Sequence, residues 1–270
     1  YVRALLQKYQ PYIGTRNYAD VPSTSDCMPR AEQPATPKQQ QFVDSFPYSA
    51  IVGSLLYLAV VTRPDIMHAV GVLTHHLKAP TYASCKAACR VLNYLSHHPA
   101  IALCYSGTAL NLHAFTDSDW GSDRDTRRST SGSIVIMAGG PVVWLSKLQP
   151  IVAVSSMEAE YIACFFILQE VVWIRQLLKD LLLERTLPTR VLIDNKSARQ
   201  LAENPGHHQR SKHIDIKFHW IRDMVAAGTV QLVDVPSEDQ RADFLTKALR
   251  GEAFWRHVQA LLAVRLPGSV

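Results

Sequence analysis

Residues 113–129 read HAFTDSDWGSDRDTRRS: a short apolar run, then Asp117, Asp119, Asp123 and Asp125, then Arg127 and Arg128. Oxygen-rich spacing of this kind suits a calcium loop, a hard-metal catalytic site or a solvated turn. The calcium reading fails on position. A twelve-residue loop begun at Asp117 puts Ser122 where the tight-turn Gly belongs and Arg128 where the bidentate Glu belongs. LHAF before Asp117 reads as a strand, so this carboxylate sits where a strand core meets its end. A charge there is costly unless it is paired or metal-bound. The plain alternative is a turn Asp capping the strand.

Working outward, IALCYSG, NLHAFTDSDW, SGSIVIMAGG and PVVWLSKLQ are short β-rich runs separated by Gly, Pro or Asn, and predict a meander of hairpins. SSMEAEYIACFFILQEVVWIRQLLKDLLLE follows, with Ser155 and Ser156 as cap candidates, and predicts one long, largely buried helix. TRVLIDN reads as a strand, KSARQLAEN as a short helix, and IDIKFHWIRDMVAAG as an amphipathic helix ended by Gly228. TVQLVDVPS is a further strand and EDQRADFLTKAL a final helix. Strands alternating with helices in this way imply an α/β sheet covered on both faces. Toward the N-terminus, the first ten residues predict a short helix, and residues 18–45, rich in Pro, Ser, Thr and Gln, a linker or extended arm. From Pro47 to Pro99 apolar spacings of three and four predict a small module of about three helices.

The 270 residues are 47% hydrophobic, ordinary for a globular chain, and a formal charge of +5 permits a polyanionic partner without requiring one. Five scattered cysteines without a CxxC pair fit reduced thiols in an intracellular protein and argue against zinc. No apolar run is read as reaching the ~20 residues that span a bilayer, so no membrane partner is expected. Tyr1 in place of an initiator Met is expected of a fragment or a processed polyprotein product.

Three more carboxylates share the setting of Asp117. Glu160 lies in the first turns of the long helix between Ala159 and Tyr161, Asp194 ends the strand VLI, and Asp243 begins the last predicted helix. Each alone is ordinary at a helix start or strand end. Together they occupy four element ends that one sheet could bring to one point. An Asp, Glu, Asp and Asp set without His or Cys suits two hard cations, Mg2+ or Mn2+.

At this point a family comes into view. YSAIVGSLLYLAVVTRPDIMHAV, FTDSDWGSDRDTRRSTSGSIVIMAGGPVVWLSKLQPIVAVSSMEAEYIA, LIDNKSARQLAENPGHHQRSKHIDIKFHWIRD and RADFLTKAL, in that order, resemble the C-terminal reverse transcriptase connection and ribonuclease H region of a copia-type retrotransposon polyprotein. The resemblance implies a ribonuclease H-like three-layer α/β fold with a five-stranded mixed sheet, preceded by a linker and a small helical module. It divides the chain into the end of a thumb-like segment (1–17), a linker (18–45), a thumb or connection module (46–100), the ribonuclease H-like domain (101–252) and a C-terminal helix and tail (253–270).

It also implies that Asp117, Glu160, Asp194 and Asp243 are the catalytic and metal-binding tetrad, holding two Mg2+ ions with Mn2+ as a substitute. A His found before the last helix in some relatives has no counterpart in VPSEDQRAD. The implied substrate is the RNA strand of an RNA/DNA hybrid, with Arg127, Arg128, Arg210, Lys212 and His213 as phosphate-contact candidates. The implied partner is the polymerase domain of the same polyprotein, and the implied location is intracellular, in a virus-like particle. No Tyr-x-Asp-Asp motif of polymerisation occurs in these residues. Two other readings stand beside this one: an inactive or domesticated nucleic-acid-binding remnant of the same fold, and an integrase-like nuclease, which typically uses three carboxylates. Trp120, Trp144, Trp173 and Trp220 read as core or interface aromatics.

Overall fold

The computed structural model describes residues 1–14, 18–27, 29, 35–106, 110–123, 125–195 and 212–264, the last stretch with side chains from Ile216 onward. The chain divides into two units: Tyr1–Cys104 together with the segment from Lys247 onward, and Tyr105–Thr246.

In the first unit, α1 (Val2–Lys8) is the short helix expected at the start. The next helix, α2 (Pro37–Ser45), lies in the stretch read as linker. Its cause is local. The Thr36 hydroxyl accepts from Gln39 N, Gln39 Oε1 accepts from Thr36 N at 2.8 Å, and Pro37 occupies the first turn, where an N–H has no intrahelical partner anyway. The three expected helices are α3 (Tyr48–Val61), α4 (Met67–Thr74) and α5 (Tyr82–His97), and they enclose Ile51, Leu55, Val70 and Leu92. Between α3 and α4, Arg63 pairs with Asp65 at 2.7 Å, both buried, and Tyr94 Oη donates to the same carboxylate at 2.8 Å. A buried pair of this kind needs such added hydrogen bonds to offset its desolvation.

The C-terminal helix, α8 (Gly251–Leu261), belongs to this unit rather than to a separate tail. Phe254, Val258 and Leu261 are buried along its inner face, and the Phe254 ring meets Tyr94 edge-on at 6.0 Å. After it, Ala263 forms an antiparallel bridge with Ala102. That bridge is the β-pairing made by the described residues of IALCYSG, a run that composition suggested as a full strand.

The second unit holds a five-stranded mixed sheet in the order β3-β2-β1-β4-β5, the five-stranded mixed α/β sheet expected from the sequence. Its strands are β1 (His113–Asp119), β2 (Thr130–Met137), β3 (Gly140–Leu148), β4 (Thr189–Ile193) and β5 (Val230–Asp234). The first three form the antiparallel meander, whereas β4 runs parallel to both β1 and β5. Strand alternation sends Ala114, Val135, Val191 and Ile193 to one face, where they meet α6 (Ser156–Asp180) and α7 (Lys212–Ala226).

By length and composition α6 could cross a membrane, which corrects the expectation that no run approaches that length. Here Cys164, Ile167, Leu168 and Val171 of α6 are core residues of the sheet unit. The opposite face carries Asp117 and its cross-strand partner Gly132. EDQRADFLTKAL covers that face as two short 3-10 turns, Ser237–Asp239 and Asp243–Leu245, in place of the predicted final helix. The short helix predicted over KSARQLAEN lies outside the described residues.

Candidate metal centre

Parallel strands end on the same side of a sheet, and side chains gather beyond their carboxyl ends. The register pairs Phe115 with Leu192, so two residues further along Asp117 stands level with Asp194. The third carboxylate comes from above. Ser155 caps α6 by accepting from Glu158 N at 3.2 Å, and Glu158 Oε2 accepts from Val154 N at 2.8 Å, which fixes the first turn. Glu160 then points at the end of β1. Its Oε1 accepts from both Ser118 N, at 3.1 Å, and Ser118 Oγ, at 3.0 Å.

Asp117, Glu160 and Asp194 can each offer an oxygen within 4.8 Å of the others. Asp117 and Glu160 are buried, and Asp194 is half-buried with Ser237 Oγ donating to its Oδ2 at 3.2 Å. Asp243 lies outside this group of three. It opens the 3-10 turn next to it, and Thr246 links the two: the Thr246 hydroxyl is 2.6 Å from Asp117 Oδ2 and 3.0 Å from the Asp243 carbonyl oxygen. Asp119, on the same strand face as Asp117, is also outside the group and partly exposed.

The electrostatics of the site are unfavourable without a cation. Burial, then the Asp117 and Asp194 carboxylates, hold the Glu160 carboxyl well above the ordinary range, against the pull of its two bonds from Ser118. Glu160 Oε2 is buried with no hydrogen-bond partner, an arrangement that a positive ion would resolve. The donors are all oxygen, which suits Mg2+ or Mn2+. Nearby Cys164 offers no soft alternative, because burial and then Glu160 push its thiol up to about 12. Asp117, Glu160 and Asp194 therefore fit a hard divalent cation.

A folded-state proton on Glu160 makes the metal-free protein lose stability as pH rises, beginning above the unfolded carboxylate value and continuing through the raised folded one. Glu160→Gln removes that loss. In chelator at pH 8 the variant is expected to melt about 2 °C or more above the parent, with the gap closing toward pH 4. Calorimetry across that range checks it, and an equal or lower melting temperature at pH 8 contradicts the assignment.

Several curated relatives match most of the chain. The Retrovirus-related Pol polyprotein from transposon TNT 1-94 of Nicotiana tabacum is 38% identical over 221 residues, 82% of this chain and 17% of the relative. That from transposon RE1 of Arabidopsis thaliana is 40% identical over 230 residues, 85% of this chain and 16% of the relative. The chain's homologues are thus Retrovirus-related Pol polyproteins of plant copia-type transposons, 38–40% identical over most of the chain. It spans about a sixth of the length of these Pol relatives. No protein-family model matches it. Among solved structures, LC11-RNase H1, isolated from compost by a metagenomic approach, is 19% identical and aligns with 51% of this Pol segment and 93% of itself at a TM-score of 0.39.

The remaining expected contacts of the Pol segment fall in several places. Arg127 is exposed in the turn after β1, in left-handed backbone with φ 57°, and Arg128 beside it is half-exposed. Asp123 organises that turn, its Oδ1 accepting from Thr126 N at 2.7 Å and from Thr126 Oγ1 at 2.6 Å. Arg210 lies outside the described residues, as do the side chains of Lys212 and His213 at the start of α7. Trp120 and Trp173 are more than half exposed, which rules out the core half of their reading as core or interface aromatics. Trp120 Nε1 donates to the Ala153 carbonyl at 2.9 Å. Ser118 and Thr246, which hold two of the carboxylates, carry no sequence signal of their own.

Proposed function

We propose that this segment is a ribonuclease H that hydrolyses the RNA strand of an RNA/DNA hybrid during reverse transcription of its element. The observation that carries this reading is the convergence of Asp117, Glu160 and Asp194, all-oxygen donors with one buried oxygen lacking any partner. Two divalent cations, Mg2+ with Mn2+ as a substitute, would supply Lewis acidity to the scissile phosphate and make a water nucleophilic near neutral pH.

The chain's own residues do the positioning. Asp117 and Glu160 are held from opposite sides of β1 by Thr246 and Ser118, so neither carboxylate can turn away from the other. Asp194 closes the third side from β4. Asp243 supplies a fourth carboxylate beside them, set by the turn that Thr246 stabilises. Arg127 and Arg128 meet backbone phosphates, as do Arg210, Lys212 and His213. The segment acts inside the cell with the polymerase domain of the same polyprotein, in a virus-like particle.

The test uses the 270-residue chain on end-labelled RNA/DNA hybrid, double-stranded DNA and single-stranded RNA, with Mg2+ titrated from chelator. Cleavage of RNA in the hybrid alone, dependent on the cation, is expected. Binding of the hybrid without cleavage would replace this reading with a non-catalytic remnant. Cleavage of double-stranded DNA would replace it with an integrase-like nuclease.

A further inference from the structure

Helix α6 carries Glu160 near its start and ends on a Schellman turn, in which Leu182 N bonds to the Lys179 carbonyl at 2.9 Å and Leu183 N to the Leu178 carbonyl at 2.8 Å. The left-handed position of such a turn ordinarily holds Gly, but here it holds Leu182, at φ 60°. A β-carbon is crowded in that backbone, so the leucine costs stability. Packing does not offset the cost, because Leu182 is 92% exposed.

Leu182 is one of six large apolar residues at this end of the sheet unit. Trp173, Leu177 and Leu181 recur every four positions and share a stripe along the end of α6 and its cap, and Leu183 and Leu187 follow in the connection to β4. Each is at least 42% exposed. The connection is braced from within the unit: Arg175 Nη1 donates to the Leu187 carbonyl at 2.9 Å and to Thr189 Oγ1 at 3.0 Å, and Nη2 to the Arg185 carbonyl at 2.7 Å. Together the six residues leave roughly 700 Å² of mainly apolar surface open, beyond the ~300–600 Å² of the largest patch on most monomers and close to the ~800 Å² that each partner of a standard interface covers.

Charge decides the occupant. From Glu170 to Leu187 the ionisable residues are Glu170, Arg175, Lys179, Asp180, Glu184 and Arg185, three acidic and three basic. On a chain of net charge +5 this surface is neutral, so it draws neither a polyanion nor an anionic lipid surface. Both signs in equal number on one patch suit a self-complementary, two-fold interface. The apolar stripe has the same symmetry, since Trp173 and Leu181 stand equally spaced on either side of Leu177.

We propose that two copies of this chain pair through the far ends of their α6 helices, antiparallel about a two-fold axis near Leu177, with Trp173 of each copy against Leu181 of the other. Glu160 precedes Leu177 by about 25 Å of helix, so the pairing leaves both metal centres clear, about 50 Å apart. The pairing is independent of the chemistry that those centres perform.

Sedimentation of the 270-residue chain from about 1 to 100 µM tests this. The parent is expected to reach twice its monomer mass within that range. Leu177→Asp sets two like charges face to face on the axis and is expected to stay monomeric throughout, with an unchanged circular dichroism spectrum. Leu182→Gly separates the interface from the fold. It relieves the left-handed backbone, so it melts no lower than the parent where both are monomeric, yet it pairs about 100-fold more weakly because each copy loses a leucine. With the exposed Cys27 and Cys104 changed to Ser, Leu177→Cys is expected to cross-link to its own copy on oxidation. A parent that sediments as a monomer at about 100 µM overturns the pairing, as does a dimer that Leu177→Asp leaves intact. Flotation of monomeric parent with phosphatidylcholine vesicles would overturn it in favour of a lipid surface.

Discussion

Asp117→Asn is expected to lower hybrid cleavage by about 10³-fold or more, because residues that act as one catalytic unit fail together. The substitution is nearly isosteric, and the Asn carbonyl oxygen can still accept from Thr246 Oγ1, so the 3-10 turn at Asp243 stays in place. What disappears is one negative charge at the centre of the group. Glu160 loses one of the two carboxylates that hold its proton on, so the metal-free variant should melt no lower than the parent. The paired outcome is the informative one: lost turnover with unchanged circular dichroism and an undiminished melting temperature in chelator. A verified Asn variant that keeps a tenth of parental cleavage sinks the role given to Asp117.

Gly132→Ala is expected to damage both stability and activity. Gly132 faces Asp117 across β1 and β2, and a Cβ there would lie 2.5 Å from Thr246 Cγ2, 2.9 Å from Leu245 Cβ and 3.0 Å from the Ala242 carbonyl oxygen. Two of these three neighbours cannot swing aside, so the turn must lift from the sheet. Overpacking of this kind costs about 1–3 kcal/mol. For a chain of this size that is a fall of about 2–4 °C in melting temperature per kcal/mol. The lifted turn carries Thr246 away from Asp117 and Asp243 away from the group, so cleavage falls as well. Adding Thr246→Ser removes the Cγ2 methyl but keeps the hydroxyl, and should recover part of both losses. Parental melting and cleavage in Gly132→Ala would show that the turn does not rest on the sheet.

The carboxylates themselves were legible because each sits at a boundary that local pattern marks. Asp117 closes the buried run of β1, Asp194 follows β4, whose burial alternates, and Glu160 follows a capped helix start. Their supports were not legible. Thr246 reaches Asp117 across 129 positions and Ser118 reaches Glu160 across 42, and neither hydroxyl differs in sequence from any surface Ser or Thr. EDQRADFLTKAL shows how tertiary contact overrides pattern. Its apolar spacing suits an α-helix, yet Leu245 N bonds to Ala242 O at 2.9 Å and Thr246 N to Asp243 O at 3.1 Å, the tighter winding by which the backbone presses on Gly132. The reverse error occurred at α2, where Pro and Gln content masked a capping box that Thr36 and Gln39 spell out plainly. IALCYSG has β composition, but among its described residues the β-bridge partner lies at Ala263, far beyond any local reading.

The discontinuity of the first unit bears on the order in which the protein is made. Residues 1–104 lack Phe254, Val258 and Leu261 until the far end of the chain has been synthesised. Everything the sheet unit needs, through Thr246, leaves the ribosome earlier. Domains generally complete from the N-terminus onward as synthesis proceeds at about 5–20 residues per second. In this chain the sheet that carries the carboxylates can finish while the helical unit before it still waits for its last helix.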